Sequence, residues 1–268
     1  MSRLLNVEHL KIGLKKTGEA LVRDLSFSID TGESLVILGQ SGSGKTMTCR
    51  AVMGLLDRKR FWVEGGLSFN GQELLSLGWR DKGKIYGSAI AMIPQNPMSS
   101  LDPSMRIGRQ MEETLALHTN LRGNALNKKI DSALNEAGLP DTDIVRKSYP
   151  YMLSGGMLQR VTIAMALMVD ARLIVADEPT TALDAAHRNG TVDTFIKFRE
   201  KGVGVLLVTH DFSVADRMGG QILVMKKGNM VEKGEIAGIL EHPRSEYTKA
   251  LLEASRLSGQ IKGRKIQC

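Results

Sequence analysis

Cysteine is almost missing from this chain, and its scarcity argues against two classes of structure. Only Cys49 and Cys268 occur, and neither stands in the CxxC spacing of a metal-ligand set. A disulfide framework and a structural zinc site both need several cysteines at defined spacings. The sequence therefore fits a reducing compartment.

Long apolar runs are also lacking. The longest, at residues 35–39 and 173–176, are soon interrupted, whereas a helix needs about 20 largely apolar residues to cross a bilayer. The N-terminus has no apolar core of roughly 7–15 residues, as a secretory signal would have. We therefore expect a cytosolic protein without a membrane-spanning segment.

Aromatic residues make up only 4% of the chain, although its net charge is +7. Such a charge could favour nucleic acid, anionic lipid headgroups or phosphorylated ligands. Apart from a short cluster at 262–265, the basic residues are spread along the sequence. Because stacking platforms for single strands need aromatic side chains, we expect no nucleic-acid partner and interpret the charge as a solvated basic surface.

The first part of the chain predicts strands followed by a strand, loop and helix. Residues 4–14 and 20–29 predict two antiparallel strands joined by a turn at 17–18. Residues 34–38 form a compact apolar run that ends in a glycine-rich turn, and residues 45–56 predict the helix after it.

The remainder predicts a helical insertion and then β-α-β units. Residues 104–148 contain several helical patterns. Further helices are predicted at 155–169 and 185–201, and buried strands at 173–176 and 203–208. This alternation is typical of an α/β domain with a parallel sheet. Short strands are predicted again at 222–234.

One loop carries the strongest chemical signal. It fits the pattern GxxxxGK[ST] and lies between the strand and the helix that this pattern requires. Its backbone N–H groups can converge on phosphate oxygens, while Lys45 neutralises charge and Thr46 can ligate magnesium. A plain glycine-rich turn is the alternative. The predicted nucleotide-binding residues are Gly39, Gln40, Ser41, Gly42, Ser43, Gly44, Lys45, Thr46 and Met47.

Two acids, Asp177 and Glu178, follow the apolar run at 173–176. On their own they would be an ordinary solvated strand end. Together with the phosphate loop they indicate a Walker B site, in which Asp177 holds magnesium and Glu178 orients or deprotonates the attacking water.

Further motifs point to one family. Residues 153–159 (LSGGMLQ) resemble the signature loop of ABC ATPases, with Met157 as a departure from the commonest form, LSGGQ. Gln95, residues 181–184 and His210 resemble the Q-loop, the D-loop and the switch histidine. Each is weak alone, but their order and spacing match over residues 4–250. The chain thus resembles the ATP-binding subunit of an ABC transporter.

The resemblance implies a fold and a domain organisation. The expected fold is α/β, a P-loop NTPase with a RecA-like parallel-sheet core, an N-terminal antiparallel β layer and a helical insertion at about 97–160. Residues 1–250 would form one ATP-binding domain, and residues 251–268 a short tail.

The resemblance also implies roles for the candidate residues. ATP and Mg²⁺ are the expected cofactors. Thr46, Gln95 and Asp177 would hold the metal ion, Glu178 would activate water and His210 would stabilise the γ-phosphate.

The family works as a head-to-tail dimer, so part of each site comes from the other chain. Ser154, Gly155 and Gly156 would act on the nucleotide bound by a second ATPase subunit, and Asp184 would connect the two sites. The other expected partners are two transmembrane permease subunits and an extracytoplasmic substrate-binding protein. The chain would then lie peripherally at the cytoplasmic face of the cell membrane.

The sequence departs from the family where adenine is usually stacked on an aromatic residue. Residues 10–25 contain no Phe, Tyr or Trp. An aliphatic contact from Leu14 is the candidate replacement, although by analogy with base stacking a ring contact contributes about 1–3 kcal/mol.

Within the family, residues 95–103 and 242–252 resemble the oligopeptide and nickel importers. Residues 45–49 and 148–160 look closer to the first ATPase subunit of nickel or nickel–metallophore importers, so nickel is the favoured cargo. An oligopeptide or dipeptide importer is the alternative.

Two rival functions remain. Soluble ABC ATPases of DNA repair or translation usually carry a long coiled-coil insertion or two cassettes, whereas this chain has one cassette and a short insertion. A non-hydrolysing regulatory subunit would be expected to lack the glutamate or the histidine, but Glu178 and His210 are both present.

Overall fold

One mixed sheet runs through the protein and places the functional loops. The computed structural model describes residues 3–181 and 185–257 of the chain. The strands in these residues are β1 (Arg3–Leu14), β2 (Ala20–Asp30), β3 (Ser34–Leu38), β4 (Phe61–Phe69), β5 (Gln72–Glu73), β6 (Ile90–Ile93), β7 (Leu173–Asp177), β8 (Gly204–Thr209), β9 (Gln221–Lys226) and β10 (Asn229–Glu235). Their order in the sheet is β5-β4-β1-β2-β10-β9-β3-β8-β7-β6.

Helices cover both faces of the sheet and form the insertion. They are α1 (Lys45–Val52), α2 (Trp79–Ile85), α3 (Ile107–His118), α4 (Gly123–Glu136), α5 (Thr142–Lys147), α6 (Gly155–Met168), α7 (Ala185–Glu200), α8 (Phe212–Met218), α9 (Ile236–Glu241) and α10 (Glu246–Leu257). None of the described helices is both long and apolar enough to span a bilayer.

The centre of the sheet is parallel and fully buried. Strand β3 pairs in parallel with β8 and β9, and β7 pairs in parallel with β8 and β6. Every residue of β3, β7 and β8 is buried, which explains why these segments are continuous apolar runs in the sequence. Their carboxyl ends meet at one edge, where ligands of open α/β sheets bind.

The predicted N-terminal β layer is present and larger than expected. Strand β1 pairs antiparallel with β2 and, on its other side, with β4. Strand β4 and the two-residue β5 were not predicted from the sequence. Val7 shows how the layer is ordered, because it lies opposite both Phe27 and Leu67.

The apolar core has two parts, one on each face of the central sheet. One part joins the sheet to the insertion helices, with Ile107 and Met111 fully buried. The other part joins the sheet to the N-terminal layer and α1. Alternate residues of β3 belong to different parts, since Val36 lies in the first and Ile37 in the second.

The predicted end of one helix differs from the structure. Helix α1 ends at Val52 rather than at residue 56, because Gly54 has a φ of 63°. The N–H groups of Gly54 and Leu55 donate to the carbonyls of Ala51 and Arg50 at 3.0 and 2.8 Å, which is a Schellman termination. Helix α10 extends past residue 250, and Leu252 continues its buried face.

One arginine connects three helices of the insertion by hydrogen bonds. The Arg146 guanidinium donates to Glu112 at 3.0 Å, to Asn127 at 2.6 Å and to Asp131 at 3.1 Å. These acceptors lie on α3 and α4, while Arg146 lies on α5. The side chain of Arg146 is only 18% exposed, so its charge depends on these partners.

Replacing Arg146 with Leu should lower the free energy of unfolding by about 1–3 kcal/mol, because half-buried acceptors would lose charge-assisted hydrogen bonds. Urea denaturation measures the change. Arg109→Leu is the matched control, since the Arg109–Glu113 pair at 2.8 Å is largely exposed and should contribute less than about 0.5 kcal/mol. Equal losses in the two variants would show that the Arg146 hydrogen bonds contribute no more to stability than the exposed Arg109–Glu113 pair.

Candidate functional site

The predicted phosphate loop connects β3 to α1, and two of its glycines are required by its shape. Gly44 directly precedes α1 with a φ of 106°, a conformation that L side chains rarely adopt. At Gly39, an added Cβ would collide with the Met225 carbonyl of β9. The loop is therefore fitted both to the helix N-terminus and to the neighbouring strand.

The loop folds around the ammonium group of Lys45. This group donates to the carbonyl oxygens of Gly39 at 2.7 Å and Gln40 at 3.0 Å. Burial lowers the pKa of Lys45 below its ordinary value, and the negative charges of Glu178 and Asp177 oppose that shift. A buried ammonium group with two loop carbonyls and two acids around it is placed to meet phosphate oxygens.

A cavity of about 930 Å³ opens at this loop. Most of the predicted nucleotide-binding and catalytic residues line it together: Gly39, Gln40, Ser41, Gly42, Gly44, Lys45, Thr46, Met47, Gln95, Glu178 and His210. Ser43 does not line it. Its side chain is buried, its N–H donates to the Gln40 carbonyl at 3.2 Å and its carbonyl accepts the Gly228 N–H at 2.9 Å. Ser43 therefore stabilises the conformation of the loop without facing the cavity.

Several polar groups of the cavity contact the Glu178 carboxylate. This carboxylate is 14% exposed and lies 3.7 Å from the Lys45 ammonium group. One of its oxygens also lies 3.2 Å from the His210 Nδ1, 3.0 Å from the Thr181 hydroxyl and 3.5 Å from the Gln95 amide nitrogen. The structure thus brings the predicted general base, switch histidine and Q-loop glutamine to one carboxylate.

The backbone at Glu178 fixes where this carboxylate lies. Its φ is 46°, in the left-handed region that few non-glycine residues occupy. Its N–H donates to the Val208 carbonyl of β8 at 2.9 Å. The chain therefore turns sharply where β7 ends, a feature that is common at functional sites.

Asp177 lies behind the cavity and contacts it through Thr46. The Thr46 hydroxyl donates to Asp177 Oδ1 at 3.2 Å. Burial raises the pKa of Asp177 above its ordinary value, and the hydrogen bond from Thr46 opposes that shift. The hydroxyl, this carboxylate and the Gln95 amide oxygen are the oxygen ligands that Mg²⁺ prefers, so the residues present fit a magnesium ion beside bound phosphates.

The signature-loop residues do not join this cavity. Ser154 caps the N-terminus of α6, where its hydroxyl accepts the Met157 N–H at 3.3 Å, and neither Gly155 nor Gly156 lines the cavity of its own chain. Asp184 lies outside the described residues.

Leu14, the residue expected to contact adenine, does not line the cavity. Leu14 ends β1 opposite Phe61 of β4, whereas Ala20 and Leu21 at the start of β2 line the cavity. Thr181 was predicted only as part of the D-loop, and its hydrogen bond to Glu178 was not, although its spacing of three residues from Glu178 was a usable signal.

Replacing Asp177 with Asn should raise the free energy of unfolding at neutral pH in buffer without nucleotide or Mg²⁺, because the buried charge is removed. A raised pKa in the folded chain means that ionisation costs stability. The gain should therefore be full above the raised pKa and disappear as the pH falls through the ordinary value of 3.8.

Asp193→Asn is the control with the opposite sign. A hydrogen bond from Arg217 lowers the pKa of exposed Asp193, so its stabilising contribution is present above the ordinary value and is lost as the pH falls through the lowered one. Urea denaturation across a pH series compares the two. If Asp177→Asn destabilises the protein as Asp193→Asn does, burial is not the dominant effect at Asp177.

Known proteins share this architecture. The family model described as ABC transporter matches residues 22–181. A solved dimeric structure of the ATP-binding cassette MJ0796 in a post-hydrolysis state, bound to ADP and Pi, superimposes with a TM-score of 0.76 at 27% identity, covering 87% of this chain and 98% of that one. The predicted P-loop ABC ATPase fold is confirmed.

Curated relatives define the group more closely. The metal-staphylopine import system ATP-binding protein CntD of Staphylococcus aureus is 39% identical, over 94% of this chain and 93% of that protein. The dipeptide transport ATP-binding protein DppD of Escherichia coli is 37% identical, over 94% of this chain and 78% of that protein. The chain therefore belongs to the ABC transporter family, as an ATP-binding and ATP-hydrolysing subunit of the oligopeptide and nickel importer group.

Proposed function

We propose that this chain powers the import of nickel or of a nickel–metallophore complex. The observation that carries the cargo assignment is the 39% identity to a metal-staphylopine import protein over 93% of that protein. The 37% identity to a dipeptide transport protein supports the alternative, an oligopeptide or dipeptide importer.

The described part of the chain offers no site for a metal cargo. Among residues 3–181 and 185–257, no three or more His, Cys, Asp or Glu side chains are grouped so that they could hold a metal ion. In this proposal the cargo is therefore chosen by other subunits, and this chain supplies the energy of ATP hydrolysis.

Glu178 is the proposed general base for that hydrolysis. Its carboxylate lies in the cavity near Lys45, where the γ-phosphate of a nucleotide on the phosphate loop would be bound. Phosphoryl transfer depends mainly on positioning and charge stabilisation. The Thr181 and His210 contacts hold the carboxylate in place, and His210 stabilises the γ-phosphate once a nucleotide is bound.

Magnesium completes the proposed site. When bound, Mg²⁺ would neutralise charge on the β- and γ-phosphates. Thr46, Asp177 and Gln95 are the residues that would hold it. Asp177, whose pKa burial raises, would then become favourable as a charged group because a cation lies beside it.

The signature loop is proposed to serve a second subunit. Ser154, Gly155 and Gly156 lie at the N-terminus of α6, a 14-residue helix whose free N–H groups favour anions. Since they do not line the cavity of their own chain, they remain available to a nucleotide on another chain in a head-to-tail heterodimer, with Asp184 between the two sites.

A role in transport requires partners that form the membrane path and deliver the cargo. The relatives in this group are named as ATP-binding proteins of a metal-staphylopine import system and of dipeptide transport, and the described residues contain no membrane-spanning helix. We propose that two permease subunits supply the membrane path, that a substrate-binding protein delivers the cargo, and that this chain lies peripherally at the cytoplasmic face of the membrane. Nucleic acid has no part in the proposal.

Replacing Glu178 with Gln should leave ATP binding intact and reduce the hydrolysis rate by about 10²–10⁴-fold, because general-base catalysis contributes that much. The amide is nearly isosteric and keeps Lys45 accessible to phosphate. Turnover in the reconstituted transporter and equilibrium ATP binding are the two measurements. Glu113→Gln, at an exposed ion pair in the insertion, is the control and should hydrolyse ATP normally. Unchanged turnover in Glu178→Gln would remove Glu178 from the catalytic role.

Cargo is tested by uptake into cells that lack the gene. Radiolabelled nickel, free or with a metallophore, and a radiolabelled dipeptide are offered to cells complemented with the wild-type chain or with Glu178→Gln. Nickel accumulation that requires the wild-type chain supports the proposal. Dipeptide uptake with the same dependence, and no effect on nickel, would establish the alternative instead.

A further inference from the structure

A contact outside the predicted motifs joins the C-terminal helix to the phosphate loop. The Tyr247 hydroxyl of α10 accepts the Gln40 N–H at 3.4 Å and donates to the Gln40 Oε1 at 3.3 Å. These residues are 207 positions apart in the chain, so no local sequence pattern could reveal the contact.

The start of α10 is anchored, so the position of Tyr247 is imposed by the fold. The Glu232 carboxylate of β10 accepts the N–H groups of Arg244 and Ser245 at 2.7 and 3.2 Å. The ammonium group of Lys226, at the end of β9, lies 4.6 Å from the centroid of the Tyr247 ring, within the range of a cation–π interaction. The hydroxyl therefore meets Gln40 from a fixed direction.

The same helix face continues along the cavity. Leu251, Ala254 and Ser255 line the cavity beside the phosphate loop. They follow Tyr247 by four, seven and eight residues, which places all four on one side of an α-helix. Helix α10 is therefore a wall of the cavity, and Tyr247 lies where that wall meets the loop.

Gln40 connects helix α10 to the groups that would bind phosphate. On one side its N–H points to Tyr247; on the other its carbonyl accepts from the Lys45 ammonium group at 3.0 Å and from the Ser43 N–H at 3.2 Å. A shift of Gln40 would therefore displace the lysine that meets the phosphates and the loop backbone at the same time.

We propose that Tyr247 is a positioning residue for ATP, which acts through Gln40 to hold the phosphate loop in its binding conformation. The inference rests on ATP occupying this cavity, as in the proposed function. It adds the C-terminal helix to the nucleotide site and gives that helix control over nucleotide affinity.

The test is Tyr247→Phe in the full-length chain, which removes the hydroxyl and keeps the ring beneath Lys226. Loss of hydrogen bonds to the loop should weaken ATP·Mg²⁺ binding about threefold to tenfold, measured by calorimetric titration of the Glu178→Gln form. In the reconstituted transporter, KM for ATP should rise by a similar factor while kcat changes less than about twofold, because the reacting groups stay in place.

Tyr86→Phe is the matched control, since the Tyr86 hydroxyl donates to the Val52 carbonyl at 3.1 Å and does not line the cavity. It loses one hydroxyl contact, and its ATP affinity should be unchanged. Gln40→Ala provides the second variant, because Tyr247→Phe should have a smaller effect on affinity when the Gln40 side chain is already missing.

The outcomes separate this inference from the proposed function. Unchanged affinity in Tyr247→Phe, or an equal loss in Tyr86→Phe, would each overturn the role of Tyr247. Lys45→Ala is the reference for the site itself. If it binds ATP as well as the wild type, the cavity is not the nucleotide site, and the proposed function fails first.

Discussion

The burial of the Lys45 ammonium group is the constraint on which the rest of the site depends. A buried cation is costly unless hydrogen bonds and opposite charges surround it. Two loop carbonyls accept from it, and the Glu178 carboxylate lies 3.7 Å away. These partners come from the ends of β3 and β7, so the electrostatic balance of the site holds only while the parallel strands keep their register.

This constraint also explains why the acids of the site differ. Asp177 is 4% exposed and has its raised pKa offset only by the Thr46 hydrogen bond and nearby cations, whereas Glu178 reaches the cavity and contacts several polar groups. One carboxylate is placed to complement a cation behind the loop, and the other to meet water in the cavity. Adjacent acids at the end of one strand thus acquire different chemistry from their surroundings.

The features that neighbouring residues determine could be predicted from the sequence. The phosphate loop was predictable because its GxxxxGK[ST] pattern lies between a predicted strand and a predicted helix, and β7 because it is an apolar run that ends in two acids. The end of α1 was missed because it depends on Gly54 closing a Schellman motif. Leu14 pairs with Phe61 of β4, and Ala20 and Leu21 line the cavity instead, which depends on the pairing of β1 with β4. The contact between Tyr247 and Gln40 depends on packing between distant segments. The last two arrangements leave no periodicity or spacing in the sequence, whereas Gly54 was a local signal for the end of α1 that was not used.

Strand β3 contributes residues to both parts of the apolar core. Its residues alternate between the two parts of the apolar core, with Val36 and Leu38 on one side and Leu35 and Ile37 on the other. Neither part is complete without this strand, and the strand is solvated on one face if either layer is removed. The ATP-binding loop therefore cannot be excised as a smaller autonomous unit, and any natural or engineered shortening of the chain must preserve both layers to keep a nucleotide site at all.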